Sequence, residues 1–238
     1  MQTLLIKNGS VLSLAGWLQP GYVKIEGGRI TEVGAGSPAD DVTADDIIDA
    51  NQCAVLPGLV NGHTHFSQTF MRGLGGGLTL LRWLKERIWP LQAEFTPEVM
   101  RLAAVLGLVE NLRCGVTEIV DHHKVSTSQE HTDMVCEAVQ QIGVRTTVAR
   151  GWVDCGVNAE GVDSIMADLG RIFEKWHQPE GILRIANGPL STWRCSPETI
   201  QETHKLARQY DSFSHLHAAE TRDEVQMCLD DHGLRPVE

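Results

Sequence analysis

The sequence predicts an α/β fold: a (β/α)8 TIM-type barrel, of which about five strand–helix units are present, preceded by a small β-sandwich-like domain. Three observations carry this prediction. Residues 1–56 read as short strands separated by turns, residues 57–238 read as strand followed by helix, repeated, and histidine clusters fall at the C-terminal ends of strands. No G-x-G-x-x-G and no P-loop follows any strand, which favours a barrel over an open nucleotide-binding sheet.

In the first domain, strands are expected at Leu4–Lys7, Val11–Leu14, Tyr22–Glu26, Arg29–Val33, Ile47–Asp49 and Cys53–Leu56. Gly27-Gly28 between two alternating runs is a two-residue hairpin signal. After Pro57-Gly58 the first barrel strand, Leu59–Gly62, leads through the glycine-rich stretch Gly73–Gly77 into a helix near Leu78–Ile88. Thr96 is a good N-cap and Pro97 a good first helical residue, so a longer helix runs from there to about Arg113, where Cys114-Gly115 stops it. The second strand, Thr117–Val120, ends in Asp121-His122-His123. A helix over Glu130–Ile142 places Met134, Val135, Ala138, Val139 and Ile142 at helical spacing, and strand Val144–Ala149 follows. Then come a helix over Val162–Trp176, strand Leu183–Ala186, a helix opened by Ser196-Pro197-Glu198, and strand Phe213–His217. Thr221-Arg222-Asp223-Glu224 is a capping box that opens the last helix.

Eight units close a barrel, and three more need on the order of 100 further residues. The sequence is therefore expected to be truncated or completed by another polypeptide. Unclosed edge strands also argue against an isolated monomer.

Composition narrows the function classes. With 238 residues, 42% hydrophobic and 21% charged, the chain supports a sizeable globular core. A formal net charge of −11, with no Lys/Arg-rich run to offset it, argues against nucleic acid and against an anionic membrane as partners. The scattered cysteines (Cys53, Cys114, Cys136, Cys155, Cys195, Cys228) form no C-x-x-C pair and read as reduced core thiols. The N-terminus lacks a signal-peptide layout, and the longest strongly apolar stretch, Leu102–Val109, is too short to span a bilayer. A cytoplasmic location is the expectation.

Two stretches carry the chemistry. His63 and His65 lie two residues apart at the end of an apolar strand, and alternation puts both imidazoles on one face, where they can reach one metal ion. Far down the chain, His215-Leu216-His217-Ala218-Ala219-Glu220 ends another apolar strand. Neutral imidazoles suit zinc, a catalytic zinc keeps an open position for water, and a nearby carboxylate can both take and give a proton.

The run Pro57-Gly58-Leu59-Val60-Asn61-Gly62-His63-Thr64-His65, with Arg72-Gly73-Leu74, Trp83-Leu84, Ile88-Trp89-Pro90-Leu91 and His215-Leu216-His217-Ala218-Ala219-Glu220-Thr221, resembles the amidohydrolase superfamily. The match is closer to its aminohydrolase branch, which includes guanine and 8-oxoguanine deaminases, methylthioadenosine/S-adenosylhomocysteine deaminases and triazine hydrolases. The resemblance implies that His63, His65 and His217 are metal ligands. It implies that Glu220 moves a proton between the attacking water and a ring nitrogen. A further ligand histidine from strand six and an aspartate from strand eight belong to strands that this sequence does not contain, and catalysis without that aspartate is expected to be badly impaired. Binuclear relatives use a carboxylated lysine at the fourth strand, where this sequence reads Ala186-Asn187-Gly188-Pro189-Leu190-Ser191, so a single divalent metal ion is expected, zinc before iron.

The implied activity is deamination of an aminated N-heterocycle such as guanine, 8-oxoguanine or a pterin, with release of ammonia. Loss of chloride or an alkylamine from a triazine is the alternative, and an inactive fragment or one part of a split barrel is a third reading. The implied partners are a small heterocyclic substrate and further copies of the chain. Gln68 offers a donor and an acceptor to a purine-like edge. Asp121-His122-His123 resembles the Asp-His-His of 8-oxoguanine deaminase-like enzymes more than that of enzymes acting on adenosine-type substrates, with His122 or His123 as pocket residues. Arg150, Trp152 and Trp193 offer a guanidinium and aromatic faces to a flat ring. His131, His177, His204 and His232 are expected at the surface.

Overall fold

The computed structural model describes residues 2–39, 43–123 and 128–238. The chain divides into two units, Met1–Gly58 and Leu59–Glu238. In the first, β1 (Thr3–Ser13) pairs antiparallel with β2 (Gly16–Glu26), which pairs antiparallel with β3 (Arg29–Ala35). On its other side β1 pairs in parallel with β4 (Asp46–Asp49) and β5 (Ala54–Val55), giving a five-stranded sheet. The two strands expected within Leu4–Leu14 are thus one. Asn8 takes φ 66°, a left-handed value that asparagine tolerates, and the register shifts there while pairing continues. Gly27 and Gly28, both at positive φ, make the expected two-residue turn between Glu26 and Arg29.

The second unit is built on a four-stranded parallel sheet in the order β6 (Leu59–Thr64), β7 (Val116–His123), β8 (Arg145–Trp152) and β9 (Leu183–Pro189). Between β6 and β7 lie a 3-10 turn over Phe66–Met71, a helical stretch formed by α1 (Leu80–Trp83), a π turn over Leu84–Ile88 and α2 (Trp89–Ala93), and then α3 (Pro97–Arg113). Thr96 caps α3 as expected, its hydroxyl accepting the Val99 N–H at 3.3 Å. The remaining helices are α4 (Gln129–Ile142), α5 (Val162–Trp176), α6 (Pro197–Gln209) and α7 (Arg222–His232).

Ile119, Val148 and Ile185 from the sheet pack with Leu108, Val139, Leu169 and Ile172 from the helices in one buried core. Strand alternation then fixes what each neighbouring residue faces. Asp121 and His123 share the helix side with Ile119, as Arg150 and Trp152 do with Val148, and Asn187 does with Ile185. His122, Ala149 and Gly188 face the opposite side. Gly107 of α3 lies so close to Phe66 that a Cβ there would stand 2.7 Å from the ring, so a glycine lets this helix seat the turn that follows His65.

The segment expected as a fifth strand, Phe213–His217, follows the strand path but is not a continuous strand. It makes two isolated parallel bridges, Ser214 with Asn187 of β9 and His217 with Ser191 just beyond that strand. Two of the four histidines expected at the surface are not there. His131 is buried, with hydrogen bonds to Ser128 Oγ (2.9 Å) and Phe95 O (2.8 Å), and His177 is half-buried, its Nδ1 accepting the Ile185 N–H. Cys53, Cys114 and Cys155 are exposed rather than in the core; all six cysteines are free thiols. Among the described residues no helix is long and apolar enough to cross a membrane.

Candidate active site

His63 and His65 at the end of β6 and His217 in the bridge after β9 come together, with one ring nitrogen from each within 4.8 Å of the others. The hydrogen bonds around two of them settle their tautomers. His65 Nδ1 lies 2.7 Å from the His122 carbonyl, and His217 Nδ1 lies 2.7 Å from the Leu190 carbonyl. A carbonyl only accepts, so both Nδ1 atoms carry a proton, and in the neutral form that binds a metal both Nε2 atoms carry a lone pair. Those two Nε2 atoms face each other at 3.2 Å. Two acceptors aimed at one point repel unless a cation lies between them. Two nitrogens about 2.05 Å from a tetrahedral zinc ion stand about 3.3 Å apart, so the donor set fits such an ion.

Burial disfavours the charged form of His63, His65 and His122. It lowers His65 to about 4, the backbone bond to His122 only partly opposing it. Partial burial, together with the His217 and His215 imidazoles, lowers His63, and burial holds His122 well below its ordinary value. A neutral imidazole offers a lone pair to a metal.

Glu220 reaches the site through a strained turn. Ala219 takes φ 58°, in the left-handed region, and the Glu220 N–H donates to Glu224 Oε2 at 2.6 Å. Thr221 caps α7 by accepting the Glu224 N–H at 3.2 Å. The expected capping box is therefore half present, its glutamate reaching back one residue beyond the cap to hold Glu220.

A cavity of about 610 Å³ opens over the histidines, within the range of small-molecule sites. His63, His65, His217 and Glu220 line it, and so do Gln68 and Trp193 of the residues expected to touch substrate. The other four do not line it. Arg150 is buried on the helix side, bonded to Asp168 Oδ2 (3.0 Å), Glu160 Oε2 (2.6 Å) and the Gly151 carbonyl (3.2 Å). Trp152 is fully buried and donates its indole N–H to Asn187 Oδ1 at 2.8 Å. His122 is buried under the cluster, its ring centroid 4.8 Å from that of His217. His123 is buried on the helix side, its Nδ1 3.9 Å from Asp121 Oδ2.

Sequence reasoning missed three contributors: the Trp83 and Trp89 pair, His215 and Asp121. Trp83 and Trp89 line the cavity from the interrupted helix, and their signal was their place in the Trp-Leu and Trp-Pro motifs. His215, the first histidine of the second cluster, has its Nε2 2.8 Å from His63 Nδ1. Asp121 is the third. Its Oδ1 accepts the Phe66 N–H at 2.8 Å, anchoring the residue after His65, while its Oδ2 is buried with no hydrogen-bond partner among the described residues.

Burial raises the Asp121 carboxyl to about 7, the Phe66 N–H pulling the other way. The folded chain thus holds this proton up to about pH 7, whereas an unfolded chain releases it near about 4. Between those values the folded state binds more protons, so stability falls as pH rises through that window. In the metal-free protein, Asp121→Asn keeps the acceptor for Phe66 and removes the penalty. Its melting temperature should exceed the wild type's by several degrees at about pH 8 and approach it near pH 4. Equal melting temperatures at the higher pH would contradict this placement of Asp121.

Comparison with known proteins follows the same lines. The model of the amidohydrolase family matches residues 54–237. A 5'-deoxyadenosine deaminase from Methanothermobacter thermautotrophicus is 36% identical over all of this chain and 53% of its own length. The structure of an atrazine chlorohydrolase from Arthrobacter aurescens TC1 complexed with zinc superposes with a TM-score of 0.90 at 27% identity, covering 98% of this chain and 56% of that one. An adenosine deaminase from Xanthomonas campestris with bound zinc gives a TM-score of 0.88 at 28% identity, over 98% of this chain and 53% of that one. The chain spans about half the length of the curated relatives it matches.

Proposed function

The chain belongs to the amidohydrolase family, and from that premise we propose that it forms the metal-binding half of a zinc hydrolase that removes an exocyclic amino group from an aminated N-heterocycle. The observation that carries this reading is the pair of facing Nε2 lone pairs on His65 and His217, in a cavity shared with the Glu220 carboxylate. When bound, the metal lowers the pKa of a water ligand and supplies a nucleophile at neutral pH.

The chain's own residues do the rest. His63, His65 and His217 would hold the metal, and part-buried hydrogen bonds to backbone carbonyls fix the last two. Glu220 takes a proton from the attacking water, delivers it to the ring nitrogen, and then serves the departing amine. The balance is one water consumed, a carbonyl formed at the ring carbon, and one ammonia released. Gln68 presents an amide to the heterocycle's edge and Trp193 a flat face. One metal ion is proposed because the stretch around the end of β9, Ala186-Asn187-Gly188-Pro189-Leu190-Ser191, holds no lysine that could bridge a second ion.

Purine-type substrates are favoured by the adenosine-directed names of the relatives, which are 33–36% identical. Displacement of chloride or an alkylamine from a triazine is the second reading, favoured by the TM-score of 0.90 with the atrazine chlorohydrolase. Incubating the protein with guanine, 8-oxoguanine, a 5'-substituted adenosine, a pterin and a chlorotriazine separates them. Ammonia from one of the first four supports deamination; chloride or alkylamine release from the triazine, with no ammonia from the others, would replace it.

A further inference from the structure

His65 and His217 each donate Nδ1–H outward to a backbone carbonyl and turn Nε2 inward. The outward partner of His63 is a side chain, since His63 Nδ1 lies 2.8 Å from His215 Nε2. We infer that His215 is a positioning residue: its Nε2 accepts the Nδ1–H of His63 and thereby turns the His63 Nε2 lone pair toward the metal held by His65 and His217.

Of two neutral imidazoles sharing a hydrogen bond, one donates and the other accepts. If His63 donates from Nδ1, its Nε2 is bare and can bind a metal. If His215 donates instead, the proton of His63 sits on Nε2 and that ring offers the metal nothing. The first arrangement gives all three ligand histidines one tautomer. His215 is itself fixed, because its backbone N–H donates to the Asn187 carbonyl at 2.8 Å and the bridge from Ser191 to His217 holds the segment two residues on. Alternation in this extended stretch puts His215 and His217 on one side, so the same backbone that delivers a ligand also delivers the residue that orients another. The inference rests on the metal-centre reading above and adds a residue to it that acts only through His63.

Two measurements test it. In the metal-free wild type, long-range proton–nitrogen correlation spectra, with the His63 signals assigned by comparison with H63N, should show Nδ1 protonated and Nε2 bare. Separately, zinc affinity is read by competition with a chromophoric chelator for wild type, His215→Phe, which keeps the ring volume without an acceptor, and His215→Gln, which restores an acceptor oxygen. His215→Phe should weaken zinc binding by about 10–100-fold, with most of the loss recovered in His215→Gln. A His63 protonated on Nε2, or zinc binding by His215→Phe equal to that of wild type, overturns the inference while leaving the metal centre standing. A wild type that takes no zinc overturns both. Should His215→Phe fail to fold, the wild-type spectrum and the His215→Gln affinity still decide.

Discussion

In active protein, Glu220→Gln is expected to lower kcat by about 10²–10⁴-fold while leaving zinc content unchanged. The substitution keeps the size of the side chain and its hydrogen-bonding reach, and it removes only the capacity to carry a proton. Glu220 lines the cavity with the three histidines, and its backbone is held by Glu224 rather than by its own carboxylate. The fold therefore has no need of the charge. Turnover and bound zinc measured on the same preparation check this, and an undiminished kcat would remove the proton shuttle from the mechanism.

Arg150→Ala is expected to cost about 3 kcal/mol of stability, the low end of what truncating one partner of a buried ion pair removes. Arg150 and Asp168 are both almost fully buried, at 3% and 2% exposure. The loss sits at the low end because Asp168 retains Arg171, whose Nε lies 2.9 Å from Oδ1. Denaturant unfolding gives the stability, and substrate titration gives KM. The expected pattern is a large stability loss with KM little changed, since the guanidinium faces the helices. A KM defect without destabilisation would restore Arg150 to the substrate site.

That contrast shows where the sequence was readable. That His63 and His65 share a face, and that His217 and Glu220 end one run, was legible because each pair depends only on local spacing at the end of an extended run, and extended backbone fixes which side chains share a face. The alternation of strands and helices was legible for the same reason, as were the Thr96 and Ser196 caps. Arg150 and Trp152 were misread because their facing depends on which strand positions α5 and α6 cover, a long-range fact that no local pattern carries. Both sides of a central parallel strand are buried, so hydrophobicity gives no parity signal there. His122 and His123 sit in an identical local context, and the same alternation sends one under the histidine cluster and the other toward the helices. His215 was passed over because its role appears only when β6 and the Phe213–His217 segment are brought side by side. The latter segment reads as a strand in the sequence, yet among the described residues it forms only isolated bridges, to Asn187 and Ser191.

The most direct test of the metal centre is a zinc titration of the metal-free chain, followed by calorimetry, alongside His65→Asn and His217→Asn. The proposed centre predicts saturable binding of one zinc ion per chain that each substitution weakens severely, since each removes one of the two nitrogens 3.2 Å apart. Absence of saturable binding, or binding that survives both substitutions, would show that these histidines do not form the metal centre.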